Sequence, residues 1–141
     1  ILNRYDDLFS ATLWLKEGRT GLVLESFAGT GATSGDVWGF FIQPTYDIIL
    51  KKLQLVGRYT FSDGSGADSV YAQSRYERAA PNLTGGGRGD QYQAVYGGLQ
   101  YFIYGDKLKL LAGAEYADVS GGGNGGDFSG WTFLPGVRFS F

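Results

Sequence analysis

Val37-Trp-Gly-Phe-Phe-Ile-Gln-Pro-Thr-Tyr-Asp-Ile-Ile49, then Leu50-Lys51-Lys52, then Leu53-Gln-Leu-Val-Gly-Arg-Tyr-Thr-Phe-Ser62, is the stretch on which the fold turns. Its first part divides into two rows by alternation: Trp38, Phe40, Ile42, Pro44, Tyr46 and Ile48 against Gly39, Phe41, Gln43, Thr45 and Asp47. The second part sets Leu53, Leu55, Gly57, Tyr59 and Phe61 against Gln54, Val56, Arg58, Thr60 and Ser62. A period of two is the mark of a β-strand, and helical spacing fits neither part. A three-residue connection with two lysines between two such runs predicts a hairpin.

The same pattern recurs along the chain. Alternating runs fall at about Leu8–Lys16, Gly21–Gly29, Gln91–Tyr104, Leu108–Val119 and Trp131–Phe141, which with the first two makes seven strands. In the last two runs, Leu108, Leu110, Ala112, Ala114 and Tyr116 oppose Lys109, Leu111, Gly113 and Glu115, and Trp131, Phe133, Val137 and Phe139 oppose Thr132, Gly136 and Arg138. The run from Gln91 is softer, with Val95, Leu99, Tyr101 and Ile103 on one row and Tyr96, Gly98 and Gln100 on the other. Within the rows as far as Ala117, the five charges Asp47, Arg58, Lys109, Glu115 and Arg138 all lie on the second row. Pro44 and Pro135 interrupt strands and predict local bulges, because proline cannot donate to a ladder.

A soluble sandwich also carries an apolar row, turned to its core. Three features favour a row turned to lipid. Aromatics gather at the row ends (Trp38, Tyr46, Phe61, Tyr101, Tyr116, Trp131, Phe139), as in interfacial girdles. The second row is rich in Gly, Gln, Thr, Ser and charge, which suits a wet interior. The runs approach the ~9–11 residues of a membrane strand. The connections then alternate strictly. Lys16–Thr20, Leu50–Lys52 and Gly105–Lys107 are tight, whereas Thr30–Asp36, Asp63–Asp90 and Ser120–Gly130 are long, polar and Gly-rich. Outer-membrane barrels sort their connections in this way, with short periplasmic turns and long external loops.

The expected fold is therefore all-β, an antiparallel transmembrane β-barrel. Closed single-chain bacterial barrels have an even number of strands. Seven strands imply that residues 1–141 are the C-terminal portion of one larger barrel domain. Ile1–Asp7, with Asn3-Arg4-Tyr5-Asp6-Asp7, does not read as an eighth strand.

Composition excludes much else. The chain has 24 Gly in 141 residues, against a usual ~7%, and no His, Cys or Met. A Ser-His-Asp or Cys-His nucleophile, a Cys or His zinc site, a haem ligand and a disulfide are all ruled out. A net charge of −2 gives no reason to expect nucleic acid. No cofactor and no metal is expected. Gly29-Thr-Gly-Ala-Thr-Ser-Gly35 lacks the lysine of a phosphate loop. Gly122-Gly-Asn-Gly-Gly-Asp127 is a single copy of a calcium repeat that works only in stacks. Asp63 with Asp68, Arg88-Gly89-Asp90 and Asn82-Leu83-Thr84 read as solvated loop. No carboxylate pair is placed by sequence for acid/base work.

Gly39–Tyr46, Lys51–Tyr59 and above all Tyr96-Gly-Gly-Leu-Gln-Tyr-Phe-Ile-Tyr-Gly-Asp-Lys-Leu-Lys-Leu110, followed by Gly113-Ala-Glu-Tyr116, resemble the late strands of the phosphate-selective porin O and P family. The family hairpin has a Gly-Leu-Asn-Tyr-Tyr form, a short turn and Lys-Leu-Lys. Here Gln100 stands for the Asn and Asp106 for a common His. The resemblance spans roughly Phe9–Phe141. It implies a bacterial outer-membrane location, a barrel of about sixteen strands with an aqueous channel, a homotrimer and passive diffusion of small anions or other small solutes. Family selectivity rests on an inward-folded loop that lies earlier in the chain, so phosphate specificity is not carried over. Val137, Phe139 and Phe141 look like the C-terminal signal read by the barrel-assembly machinery.

The expected partners are outer-membrane lipid and lipopolysaccharide, that machinery, and the permeating solutes. The expected pore-lining residues are Arg58, Arg138, Lys109, Glu115, Asp47, Gln43, Gln54 and Gln100, with Lys16 and Glu25 in less certain phase. A basic wall lowers the barrier to anions. The competing role for the same groups is an Arg–Glu lattice that stiffens the wall. The expected function is a diffusion porin, not an enzyme. The alternative is a plugged structural or adhesive barrel whose loops bind a partner. A small barrel enzyme or ligand binder is disfavoured by the missing His and by strand parity.

Overall fold

The computed structural model describes residues 6–31, 35–66, 69–71, 88–105, 107–121 and 127–140. Its elements are β1 (Asp7–Glu17), β2 (Thr20–Thr30), β3 (Val37–Ile49), β4 (Leu53–Gly64), β5 (Val70–Tyr71), β6 (Arg88–Gly89), β7 (Gln91–Tyr104), β8 (Leu108–Ser120), β9 (Phe128–Phe133) and β10 (Gly136–Phe139). The main sheet is antiparallel throughout, in the order β1-β2-β3-β4-β7-β8-β10, with β9 also paired to β8. β9 and β10 meet β8 at successive levels and form one stave, so seven staves stand side by side. Sequence and space run in the same order, and the described sheet is not closed.

The tight turns follow from local chemistry. Glu17 pairs with Thr20, leaving a two-residue loop whose first position, Gly18, has φ +56°. That conformation suits glycine in a two-residue hairpin. The second and third turns each close on one hydrogen bond, Lys52 N to Ile49 O at 3.0 Å and Lys107 N to Tyr104 O at 3.0 Å. Each follows a β-bulge, at Asp47/Ile49 and at Phe102/Tyr104. All three turns lie at one end of the sheet and the longer connections at the other.

Pro44 does not cause the expected bulge. It pairs with Leu22 on β2, and the β3–β4 register is the same on both sides of it, at Ile42↔Tyr59 and Thr45↔Val56. The ladder has a gap instead, and the facing residue is Gly57, where a β-carbon would sit 3.6 Å from the proline ring. Pro135 does break its strand: Leu134-Pro135 separates β9 from β10, and Leu134 N bonds Gly113 O at 2.8 Å across the break. The long connection expected to be all loop contains a short ladder, Val70↔Gly89 and Tyr71↔Arg88.

Cross-strand register assigns the paired residues of the main sheet to its two faces. One face presents the apolar rows in continuous lines, such as Leu13–Leu24–Ile42–Tyr59–Val95–Tyr116–Trp131. These side chains are open to the surroundings: Leu13 is 50% exposed, Leu55 48%, Val95 57%, Trp131 66% and Phe133 76%. The buried residues Val37, Val56, Asp47, Ser62, Tyr92, Ala94, Glu115, Ala117 and Val119 lie on the opposite face. A soluble sheet has the reverse arrangement.

That opposite face is concave. A single hollow of about 580 Å³ is lined by Lys16 of β1, Asp47 of β3, Gln54 of β4, Gln100 of β7 and Lys109 of β8. In a flat sheet β1 and β8 stand five strand spacings apart, roughly 24 Å at ~4.8 Å each. Lys16 and Lys109 reach in from either side, so that one hollow joins β1 to β8 on this face. Two glycines on the concave face, Gly98 and Gly113, are cross-strand partners, and the Tyr96 ring lies over them. A β-carbon would stand 2.7 Å from Tyr96 Cζ at Gly98 and 2.6 Å from it at Gly113. Gly113→Val is expected to cost about 1–3 kcal/mol by overpacking. The loss should be largely relieved by adding Tyr96→Ala. The test is the urea midpoint of the folded protein in detergent. A parent-like midpoint for Gly113→Val would mean that the ring is not seated there.

Candidate functional site

The concave face is the candidate site. It carries all the residues expected to line a pore. Gln43 and Asp47 come from β3, Gln54 and Arg58 from β4, Gln100 from β7, Lys109 and Glu115 from β8, and Arg138 from β10. Lys16 and Glu25, whose phase the sequence left open, share this face through Lys16↔Gly21 and Glu25↔Phe41.

Hydrogen bonds join several of these groups in pairs across neighbouring strands. Gln54 Nε2 donates to Asp47 Oδ1 at 2.9 Å, Arg58 Nε to Gln43 Oε1 at 2.8 Å and Lys109 Nζ to Gln100 Oε1 at 3.0 Å. In each pair a charge meets a neutral amide. Such a pairing fixes the side chain and leaves its charge uncancelled, whereas an Arg–Glu pair removes most of its field. Aromatic rings complete the seats. The Arg58 guanidinium lies 5.7 Å from the Phe41 ring centre and 6.0 Å from that of Tyr96, and Lys109 Nζ lies 5.4 Å from that of Phe102. These are cation–π distances.

Charge on this face is uneven. Lys109 and Arg138 are direct cross-strand partners, and Lys16 and Lys51 line the same hollow as Lys109, with Asp47 as the acidic group there. Like charges directly opposite one another are destabilising in a sheet. Their retention makes the turn end of the concave face electropositive. Toward the loop end the face becomes apolar. Val37, Val70, Tyr92, Ala94, Ala117 and Val119 form a buried cluster with Phe27 and Phe128 against it. Val70 belongs to the short β5–β6 ladder, so this part of the long connection folds onto the concave face. The roots are tied by Gly64 N to Asp90 O at 2.7 Å and Asp90 N to Ser120 O at 3.0 Å.

The second row was expected to be rich in polar residues facing a wet interior; its last residues before the long connections are instead apolar and packed. The aromatic seats and the glutamine partners were also missed. The residues themselves were visible, but their neighbours depend on a pairing offset that a single strand does not encode. Of the C-terminal trio, Val137 and Phe139 are exposed on the apolar face, 56% and 64%, and Phe141 lies outside the described residues. So do Asp68, Arg75, Arg78, Asn82-Leu83-Thr84 and Gly122–Gly126. Among the described residues no group of three or more acidic side chains is gathered as for a metal. No helix among them is long and apolar enough to cross a membrane, which says nothing of strands. Comparison with protein-family models, with curated proteins and with solved structures finds no match.

Proposed function

We infer that this sheet is part of the wall of a transmembrane β-barrel in a bacterial outer membrane. Its concave face lines a water-filled channel for passive diffusion of small solutes, with a preference for anions. One observation carries the reading: the apolar rows of the sheet are its exposed face, and Gln43, Asp47, Gln54, Arg58, Gln100, Lys109, Glu115 and Arg138 are turned inward, while Asp63, Gln93 and Asp118 interrupt the apolar face only at its loop end. Monomeric soluble proteins rarely expose a contiguous apolar patch beyond a few hundred Å². Lipid is a solvent in which such a face is at home. Lipid also does not tolerate unpaired strand edges, so the wall is completed by further strands into a closed barrel. The resemblance to the porin O and P family supports a barrel of about sixteen strands, a homotrimer and anionic solutes. The preference for anions follows from Arg58, Lys109 and Arg138, held by amides and rings instead of carboxylates or set beside another cation. Phe139 and Phe141 serve as the signal for the barrel-assembly machinery.

The apolar cluster at the loop end of the concave face favours a second reading, a plugged structural barrel whose external loops bind a partner. Single-channel recording separates the two. The protein in a planar bilayer is expected to give stable, stepwise open currents. A folded, inserted protein that passes no current would establish the plug.

A further inference from the structure

The two ends of the sheet differ in charge as well as in connection length. All five lysines, Lys16, Lys51, Lys52, Lys107 and Lys109, lie in or within two residues of the tight turns, and Arg19 lies within the first. At the other end, Asp36, Asp63, Asp90 and Asp118 stand at the roots of the long connections.

Lys16, Lys51 and Lys109 face the hollow, whereas Arg19, Lys52 and Lys107 sit in turns bordered by an exposed apolar and aromatic fringe. Tyr46 is 47% exposed, Leu50 52%, Tyr101 45% and Tyr104 72%. Arg19 reaches along this fringe, donating from Nη1 to Ile48 O at 3.1 Å. Tyrosine rings settle at headgroup depth, and lysine stems run along apolar surface with their ammonium groups at the phosphates. The loop end has a similar fringe at Trp38 and Trp131, but carboxylates follow it, which repel an anionic surface.

We propose that the turn end is a docking surface for anionic phospholipid headgroups, with Arg19, Lys52 and Lys107 holding their phosphodiesters. This rests on the membrane reading above and goes beyond it, because it gives the two leaflets different chemistry. Lysine or arginine near an anionic surface contributes about five-fold per charge to association. The attraction weakens as the Debye length falls from ~10 Å at 0.1 M salt to ~3 Å at 1 M.

The test reconstitutes the protein in phosphatidylcholine bilayers containing a trace of spin-labelled lipid, either phosphatidylglycerol or phosphatidylcholine. The motionally restricted fraction measures each lipid's association. The parent is expected to hold phosphatidylglycerol about five-fold or more over phosphatidylcholine at 0.1 M salt, with the ratio falling toward one at 1 M. Arg19→Gln with Lys52→Gln and Lys107→Gln should bring the ratio toward one at low salt. Asp63→Asn with Asp118→Asn should leave it unlowered. Equal association of both lipids with the parent would overturn this inference while leaving the membrane reading intact. A ratio unchanged by the triple substitution would also overturn it. The absence of any restricted lipid of either kind would overturn both.

Discussion

Leu99→Arg and Leu55→Arg are each expected to cost about 2–4 kcal/mol of folding into a bilayer, the range for a cation on the lipid face at its midplane, less toward its edges. Leu99 lies near the middle of β7, pairs with Leu55 on one side and Ala112 on the other, and is 42% exposed. No charged side chain stands near it on that face to receive the guanidinium. Gln54→Arg makes the same chemical change one residue from Leu55, on the concave face beside Asp47, whose Oδ1 lies 2.9 Å from the Gln54 amide. It should fold within about 0.5 kcal/mol of the parent, as for most solvated substitutions. The measurement is the urea dependence of folding into lipid vesicles for the three variants. Equal stability of Leu55→Arg and Gln54→Arg would contradict the assignment of faces.

Arg58→Ala together with Arg138→Ala is expected to move the channel toward cations. Arg58 is set between Phe41 and Tyr96 with Gln43 as its partner, so its charge stays uncancelled on the wall. Arg138 stands opposite Lys109. A wall charge acts over about a Debye length, ~10 Å at 0.1 M salt, and need not touch the ion. Among the charges of the well-phased runs, the change leaves Lys109 facing Asp47 and Glu115, so three positive against two negative becomes one against two. The reversal potential across a salt gradient, variant against parent, reads the effect. It should shift at 0.1 M and fade at 1 M, where screening shortens to ~3 Å. An unshifted reversal potential at low salt would make these arginines parts of the wall's structure only.

Much of the fold is legible in the chain because alternation and turn chemistry agree. Val37–Ile49 and Gln91–Tyr104 emerge with the same bounds in sequence and structure, since Asp36 and Asp90 precede them and Leu50-Lys51-Lys52 and Gly105 follow. The face of each of the eight residues expected on the inner wall was legible for the same reason: parity within a strand is a local property. What escaped notice is relational. Pro44 lies at a gap in the β3–β4 ladder, opposite Gly57, and what stands opposite it depends on the β3–β4 offset. The amide partners of Asp47, Arg58 and Lys109 lie on neighbouring strands and become neighbours only once register is set. The β5–β6 ladder is two residues long, too short to carry a period. The apolar cluster it joins was half visible, since Ala117 and Val119 end their row without polar residues. That signal was outweighed by the polar remainder of the row.

The central claim is that the exposed apolar face meets lipid and the concave face meets water. The chain has no Cys, so single cysteines can be introduced one at a time and labelled with an environment-sensitive fluorophore in the reconstituted protein. Val95→Cys, Leu99→Cys and Tyr101→Cys probe the exposed face of β7, and Gln54→Cys, Gln100→Cys and Phe102→Cys probe the concave face. Lipids brominated on their acyl chains should quench the first three labels and leave the others, whereas aqueous iodide should do the opposite. Quenching by iodide alone at all six positions, or by lipid at the concave positions alone, would contradict the account.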